Sequence, residues 1–245
     1  MSESVSGRLI GIGVGPGDPE LLTLKAARVL AEADVVAHFA KAGNASNARR
    51  TVAQHLRPGV QELPLLYPVT TEIPTSAVAY RDAIRDFYEE SAASVARHLD
   101  QGRAVAVLSE GDPLFYGSYM HLHVRLAPRY RVEVVPGITA MSGCWSLAGA
   151  PIAQGDDVFV VLPATLPEAE LERRLLDADA AVVMKLGRHL EKTRRVLGRT
   201  GRLSRAIYVE RGTTAESIIM PLEQKRDDAA PYFSVILVPG WEGRP

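Results

Sequence analysis

Short runs of β-branched and aliphatic residues alternate with helical periodicity through the first half of the chain. The strand-like runs cover residues 8–14, 34–39, 60–66, 103–108 and 131–135. Helical patterns occupy 19–31 and 46–56, a longer stretch over 76–99, and a segment between 108 and 131. Parallel neighbours need crossover connections, so strands separated by helices predict an α/β fold with a mostly parallel sheet.

Beyond Pro136 the texture changes. A helix near 139–147 is followed by a strand at 158–162, a helix at 167–176 and a strand at 180–185. Three further strand-like runs, 206–210, 217–222 and 232–238, are joined by connections too short for helices, which predicts antiparallel pairing. Residues 223–230 read as a solvated loop. The expected organisation is two α/β domains, residues 1–137 with a mostly parallel sheet and residues 138–245 with a mixed one.

Composition narrows the function classes. At 47% hydrophobic, a chain of 245 residues can bury a sizeable core. Its 28 Lys and Arg stand against 29 Asp and Glu, and a net charge of -1 gives no global attraction for nucleic acid or an anionic membrane. Cys144 is the only cysteine, which excludes an intramolecular disulfide and a zinc site built from several thiolates; as a small apolar side chain it is expected in the core. No apolar run approaches the roughly 20 residues that span a bilayer, and the start MSESVSGRLIG lacks the basic and apolar segments of a signal peptide. These features point to a cytoplasmic protein with neither nucleic-acid nor membrane partners.

Three Gly/Pro-rich loops each follow a predicted strand of the first domain: GVGPGD at 13–18, EGDP at 110–113 and PGIT at 136–139. Ligands of open parallel sheets bind beyond the carboxyl ends of the strands, so three such loops mark a binding edge. In the first loop Asp18 can cap the following helix with Pro19 at its first position, a purely structural role. Glycine spacing there puts Pro16 where a dinucleotide fingerprint needs its third glycine, so the loop is either a ligand cradle of another kind or a plain strand-to-helix turn. Asp112 in the second loop either caps the next helix or reaches a ligand hydroxyl or amino group, with Phe115 or Tyr116 packing nearby.

Catalytic constellations are scarce. His121 and His123, two apart on a predicted helix, point in different directions, and none of the 6 histidines sits in a metal-ligand pattern, so no metal is expected. Ser109, Ser142 and Ser146 lack a nucleophile elbow. No activated nucleophile stands out and no catalytic base is assigned. Lys41, Arg49, Arg50, Arg81, Arg85, Lys185 and Arg211 lie in or near the loops, where a solvated surface charge is the ordinary reading. Tyr67, Tyr80 and Met184 are either core residues or face a site.

Read together, GVGPGDPELLTLKAARVLAEADVV at 13–36, LSEGDPLFYG at 108–117, VVPGITAMSG at 134–143, VVMKLGR at 182–188 and VERGTTAESI at 209–218 span nearly the whole chain in order. In this set the sequence resembles the tetrapyrrole methylase family, the class III S-adenosylmethionine methyltransferases. LPLLYPVTTE at 63–72, GDPLFYGSYMHL at 111–122 and the MKLGRHL stretch from Met184 narrow the resemblance to members that methylate an early corrin-ring precursor. The resemblance implies S-adenosylmethionine as methyl donor in a cleft between two α/β domains, a tetrapyrrole substrate and a homodimer. It carries donor contacts onto Pro16; Glu110, Gly111, Asp112 and Phe115; Thr139 and Ala140; Met184; and Gly212. Related methylases often read GGD where this chain has Glu110-Gly111-Asp112, which leaves the Glu110 side chain without an inherited role. Substrate carboxylates suit bidentate arginines, and Arg81, Arg85 and Arg211 are the candidates. The competing readings are a sister methylase for another ring carbon or macromolecule, a tetrapyrrole-binding regulatory module, and a nicotinamide-dependent enzyme.

Overall fold

A computed structural model describes residues 7–69 and 77–240. The leader reading on residues 1–6, the helix start at Ser76 and residues 70–72 of the LPLLYPVTTE stretch lie outside the described residues. The chain divides into two compact units, Met1–Thr139 and Ala140–Pro245.

The first unit is an α/β sandwich around one parallel sheet. Its strands β1 (Arg8–Gly13), β2 (Val35–Lys41), β3 (Gln61–Tyr67), β4 (Ala104–Ser109) and β5 (Arg131–Val135) lie in the order β3-β2-β4-β1-β5. Central strands such as β1 and β4 are apolar along their length because helices cover both faces. Helices α1 (Leu24–Glu32) and α2 (Asn47–Thr51) bury Ala26, Val29, Leu30 and Ala48 against one face. Helices α3 (Val78–Leu99) and α4 (Tyr119–Leu126) bury Tyr88, Val95, Leu99, Tyr119 and Leu122 against the other.

Two differences from the expected helices have local causes. The helix read over 19–31 is a short 3-10 turn at Pro19–Leu21, a break at Leu22, and then α1, whose own cap is Thr23 accepting from the Ala26 amide at 3.1 Å. Asp18 therefore caps the short turn through the Glu20 amide rather than α1. Likewise 46–56 splits into α2, capped by Ser46, and a 3-10 turn at Ala53–His55.

At 22 residues α3 is roughly 33 Å long, whereas β1, with 6 residues, spans roughly 20 Å. Its last residue is fixed at the amino end of the sheet by the Gly7 amide, which donates to the Leu99 carbonyl at 2.9 Å. The excess therefore carries the first turn of α3, with Tyr80 and Arg81, past the carboxyl ends of the strands.

The second unit begins with α5 (Ala140–Leu147) and is built on a mixed sheet of β6 (Phe159–Pro163), β7 (Ala180–Met184), β8 (Ile207–Glu210), β9 (Ile218–Pro221) and β10 (Ser234–Val238), ordered β6-β7-β10-β8-β9. Only β6 and β7 are parallel; β10 inserts antiparallel between β7 and β8. Helices α6 (Glu168–Leu176) and α7 (Leu190–Arg199) cover one face. α7 is not expected from the sequence. Its buried stripe is only Leu190, Thr193, Val196 and Leu197, set among so many charges that the apolar period is masked. The loop read at 223–230 is only partly solvated: Lys225 is nearly covered, with its ammonium 4.7 Å from the centre of the Tyr208 ring.

Candidate functional site

In the first unit the three Gly/Pro-rich loops are joined to one another. Gly15 and Gly111 exchange backbone hydrogen bonds, the Gly111 amide donating to Gly15 at 2.9 Å and the Gly15 amide to Gly111 at 3.3 Å. Gly15 adopts φ +79, open to glycine without steric cost. The third loop meets both. A Cβ on Gly137 would lie 2.1 Å from the Gly111 carbonyl oxygen and 2.7 Å from the Gly13 Cα, so only glycine permits this packing. Pro16 is half-buried in the first of these loops.

Asp112 ties the arrangement with its side chain. One carboxylate oxygen accepts from the Leu114 amide at 2.9 Å and the other from the Gly137 amide at 3.1 Å. Of the two roles open from sequence, capping of the next helix is excluded: α4 starts at Tyr119, beyond the reach of these bonds. Each oxygen still has lone-pair capacity for a ligand donor. Glu110 keeps an exposed edge, while desolvation pushes its carboxyl above the ordinary value against a hydrogen bond from Asn47 and the Arg50 charge. Asn47, which in turn accepts from Arg50 at 2.8 Å, escaped the sequence reading because nothing local links α2 to the loop after β4. Phe115 packs edge-on against Tyr116, with ring centroids 4.9 Å apart, and Tyr116 is held at φ +55.

In the second unit, Met184 ends β7 opposite Val235 of β10, and its carbonyl accepts the Ala164 amide at 2.7 Å. Met184 and α5 residues Met141, Cys144 and Trp145 share one apolar cluster with Val209, the residue three before Gly212. Gly212 sits between Arg211 at φ +47 and Thr213 at φ +66, and a Cβ there would meet the Cys144 sulfur at 2.5 Å. Cys144, expected only as core filling, thus also forms the floor of the Gly212 turn. Burial pushes its thiol up to about 11, so it is protonated and unreactive at neutral pH. Thr139 and Ala140 stand at the junction of the third loop and α5.

The three arginines differ. Arg85 is engaged by Asp82 and Asp86, both at 3.0 Å, on its own helix. Arg211 pairs with Glu210 at 3.4 Å. Arg81 has no side-chain partner among the described residues. His121 and His123 do diverge: one stacks on Tyr88 at 4.0 Å, and the other meets the Tyr119 hydroxyl at 3.2 Å. Among the described residues no group of three or more His, Cys, Asp or Glu could hold a metal ion, and no helix is long and apolar enough to cross a membrane.

A carboxylate braced beside bare backbone, with Phe115 next to it, suits a ligand carrying hydroxyls and a flat apolar portion. Among solved structures the fold matches uroporphyrin-III C-methyltransferase from Thermus thermophilus complexed with S-adenosylhomocysteine, with TM-score 0.64 and 25% identity over 94% of this chain and 92% of that one. The architecture is thus that of a tetrapyrrole methyltransferase. The pattern of the Tetrapyrrole (Corrin/Porphyrin) Methylases covers residues 8–225, and the chain belongs to that family. It is 64% identical over 239 residues to a precorrin-2 C(20)-methyltransferase of Sinorhizobium sp, spanning 98% of both chains. A cobalt-precorrin-2 C(20)-methyltransferase of Salmonella typhimurium is 28% identical, covering 96% of this chain and 97% of that one.

Proposed function

We propose that the chain transfers a methyl group from S-adenosylmethionine to C20 of metal-free precorrin-2, giving precorrin-3A and S-adenosylhomocysteine in cobalamin biosynthesis. The 64% identity to the Sinorhizobium enzyme over 98% of both chains carries this reading. The donor supplies an electrophilic methyl on a sulfonium; the new bond to C20 forms as the methyl–sulfur bond breaks, and C20 then loses its proton. Charge is dispersed in that transition state, so alignment in a partly dry site supplies most of the acceleration, with no protein nucleophile.

In this reading Pro16, Glu110, Gly111, Asp112, Phe115 and Thr139 of the first unit contact the donor, as do Ala140, Met184 and Gly212 of the second. The braced Asp112 carboxylate supports the first group, and the tight turn at Gly212, packed against Cys144, supports the second. Arg81 is the favoured anchor for a substrate carboxylate, because Arg85 and Arg211 would first have to leave Asp82, Asp86 and Glu210. Arg81→Ala should raise KM for the tetrapyrrole about tenfold with kcat little changed, while Arg85→Ala moves KM about twofold or less. A cytoplasmic homodimer completes the proposal; light scattering should give twice the 26.5 kDa chain mass.

Mass spectrometry of the product from isotopically labelled donor and metal-free precorrin-2 tests the reaction. One labelled methyl at C20 is the expected result. Methylation at another carbon, or transfer only to the cobalt-loaded substrate, would overturn it.

A further inference from the structure

We infer that Tyr67 and Tyr88 are positioning residues for the donor-binding turn, acting through the hydroxyl of Ser118. This rests on the donor role proposed for Phe115 and the second loop. The two tyrosines come from the end of β3 and the middle of α3, 51 and 30 residues before the serine they share.

Ser118 stands immediately before α4, where a serine oxygen ordinarily accepts from the free amides of the first helical turn. Here it makes no such cap bond, and its backbone is already helical at φ -65 and ψ -23. Its Oγ instead meets the Tyr67 hydroxyl in a close hydrogen bond and accepts from the Tyr88 hydroxyl at 3.2 Å. Both rings are held in place. Tyr67 packs on Phe87 and Phe39 at centroid distances of 4.6 and 5.8 Å, and Tyr88 stacks on His121 at 4.0 Å.

What these hydroxyls hold is a turn that does not rest in an ordinary backbone conformation. Tyr116 at φ +55 lies in the left-handed region, and a Cβ on the next residue, Gly117, would be 2.6 Å from Ser109 Oγ. Such a conformation persists where its surroundings over-determine it. Upstream, Asp112 is fixed to the Leu114 and Gly137 amides. Downstream, Ser118 is fixed by the two tyrosines. Phe115 and Tyr116 are strung between these anchors, so loss of the downstream one lets Tyr116 relax and carries the Phe115 ring out of position.

The test is calorimetric titration of S-adenosylhomocysteine into the full-length protein, with melting temperature recorded alongside. Ser118→Ala should weaken binding about tenfold, and Tyr67→Phe or Tyr88→Phe about threefold each, in keeping with the net worth of one hydrogen bond. Ser118→Thr, which keeps the hydroxyl, should restore affinity. Adding Tyr88→Phe to Ser118→Ala should cost nothing more, because the bond is already gone. If the variants melt earlier but bind within twofold of the parent, the hydroxyls are structural only and the proposal fails. The isosteric Tyr88→Phe decides the question if Ser118→Ala does not fold. A parent protein that does not bind S-adenosylhomocysteine would instead sink the donor reading itself.

Discussion

Gly137 in the first unit and Gly212 in the second are both positions where a methyl group has no room, but what stands in the way differs. Around Gly137 the obstacles are the Gly111 carbonyl oxygen and the Gly13 Cα, all main chain belonging to the other two loops. Around Gly212 they are the Cys144 sulfur and, at 3.3 Å, a methyl of Val209. Main chain pinned by a parallel sheet cannot give way without moving strands, whereas side chains can be trimmed or turned. The first unit thus holds its glycine in a rigid backbone weld, and the second in a packing contact open to adjustment.

Gly137→Ala should have the largest effect. With main chain at 2.1 Å, the substitution should cost at least about 3 kcal/mol and abolish methyl transfer, read from the denaturant midpoint and from activity. A variant of near-parent stability would show that the loops yield. Next in size is Asp112→Asn. Its amide leaves one acceptor for two backbone donors and turns an N–H toward the other, costing about 1–3 kcal/mol and weakening donor binding.

Gly212→Ala should cost about 1–2 kcal/mol, and here the comparison gains its clearest test. Removing the opposing sulfur in Gly212→Ala/Cys144→Ala should recover most of the loss, while no single side-chain trim should recover Gly137→Ala. A double variant as unstable as its parent would mean that the second unit is as rigid as the first.

The smallest effect is with pH. His38, His98 and His121 of the first unit and His189 of the second all lie below the ordinary histidine value of 6.5, burial being the leading cause in each. At His38 burial outweighs Glu62, whose carboxylate lies 3.3 Å from the ring and alone would raise the value. A depressed histidine contributes stability that is full above the unfolded value and declines as pH falls through the folded one, because the unfolded chain binds the proton first. Amide exchange compared at about pH 7.5 and about pH 5.5 should therefore show the first unit loosening more than the second. Equal loosening would remove the histidines as its cause.

Much of this was legible in the chain itself. The strands of both sheets show as β-branched runs, and the antiparallel end of the second unit follows from connections too short for helices. The three Gly/Pro-rich loops stand out because tight turns and close backbone approach demand glycine wherever they occur. α7 was not legible, since its few apolar positions are diluted by charge; nor was the break at Leu22, which depends on Thr23 winning the cap from Asp18.

Apart from α7 and the Leu22 break, local sequence therefore determined which segments form strands, helices and turns, because periodicity and backbone freedom act over a few residues. Tertiary structure alone decided that Asp112 braces Gly137, that Cys144 lies under Gly212, and that Tyr67 and Tyr88 share Ser118. Those partners are 25 to 68 residues apart, and no local pattern encodes a contact whose closure depends on how whole strands and helices pack.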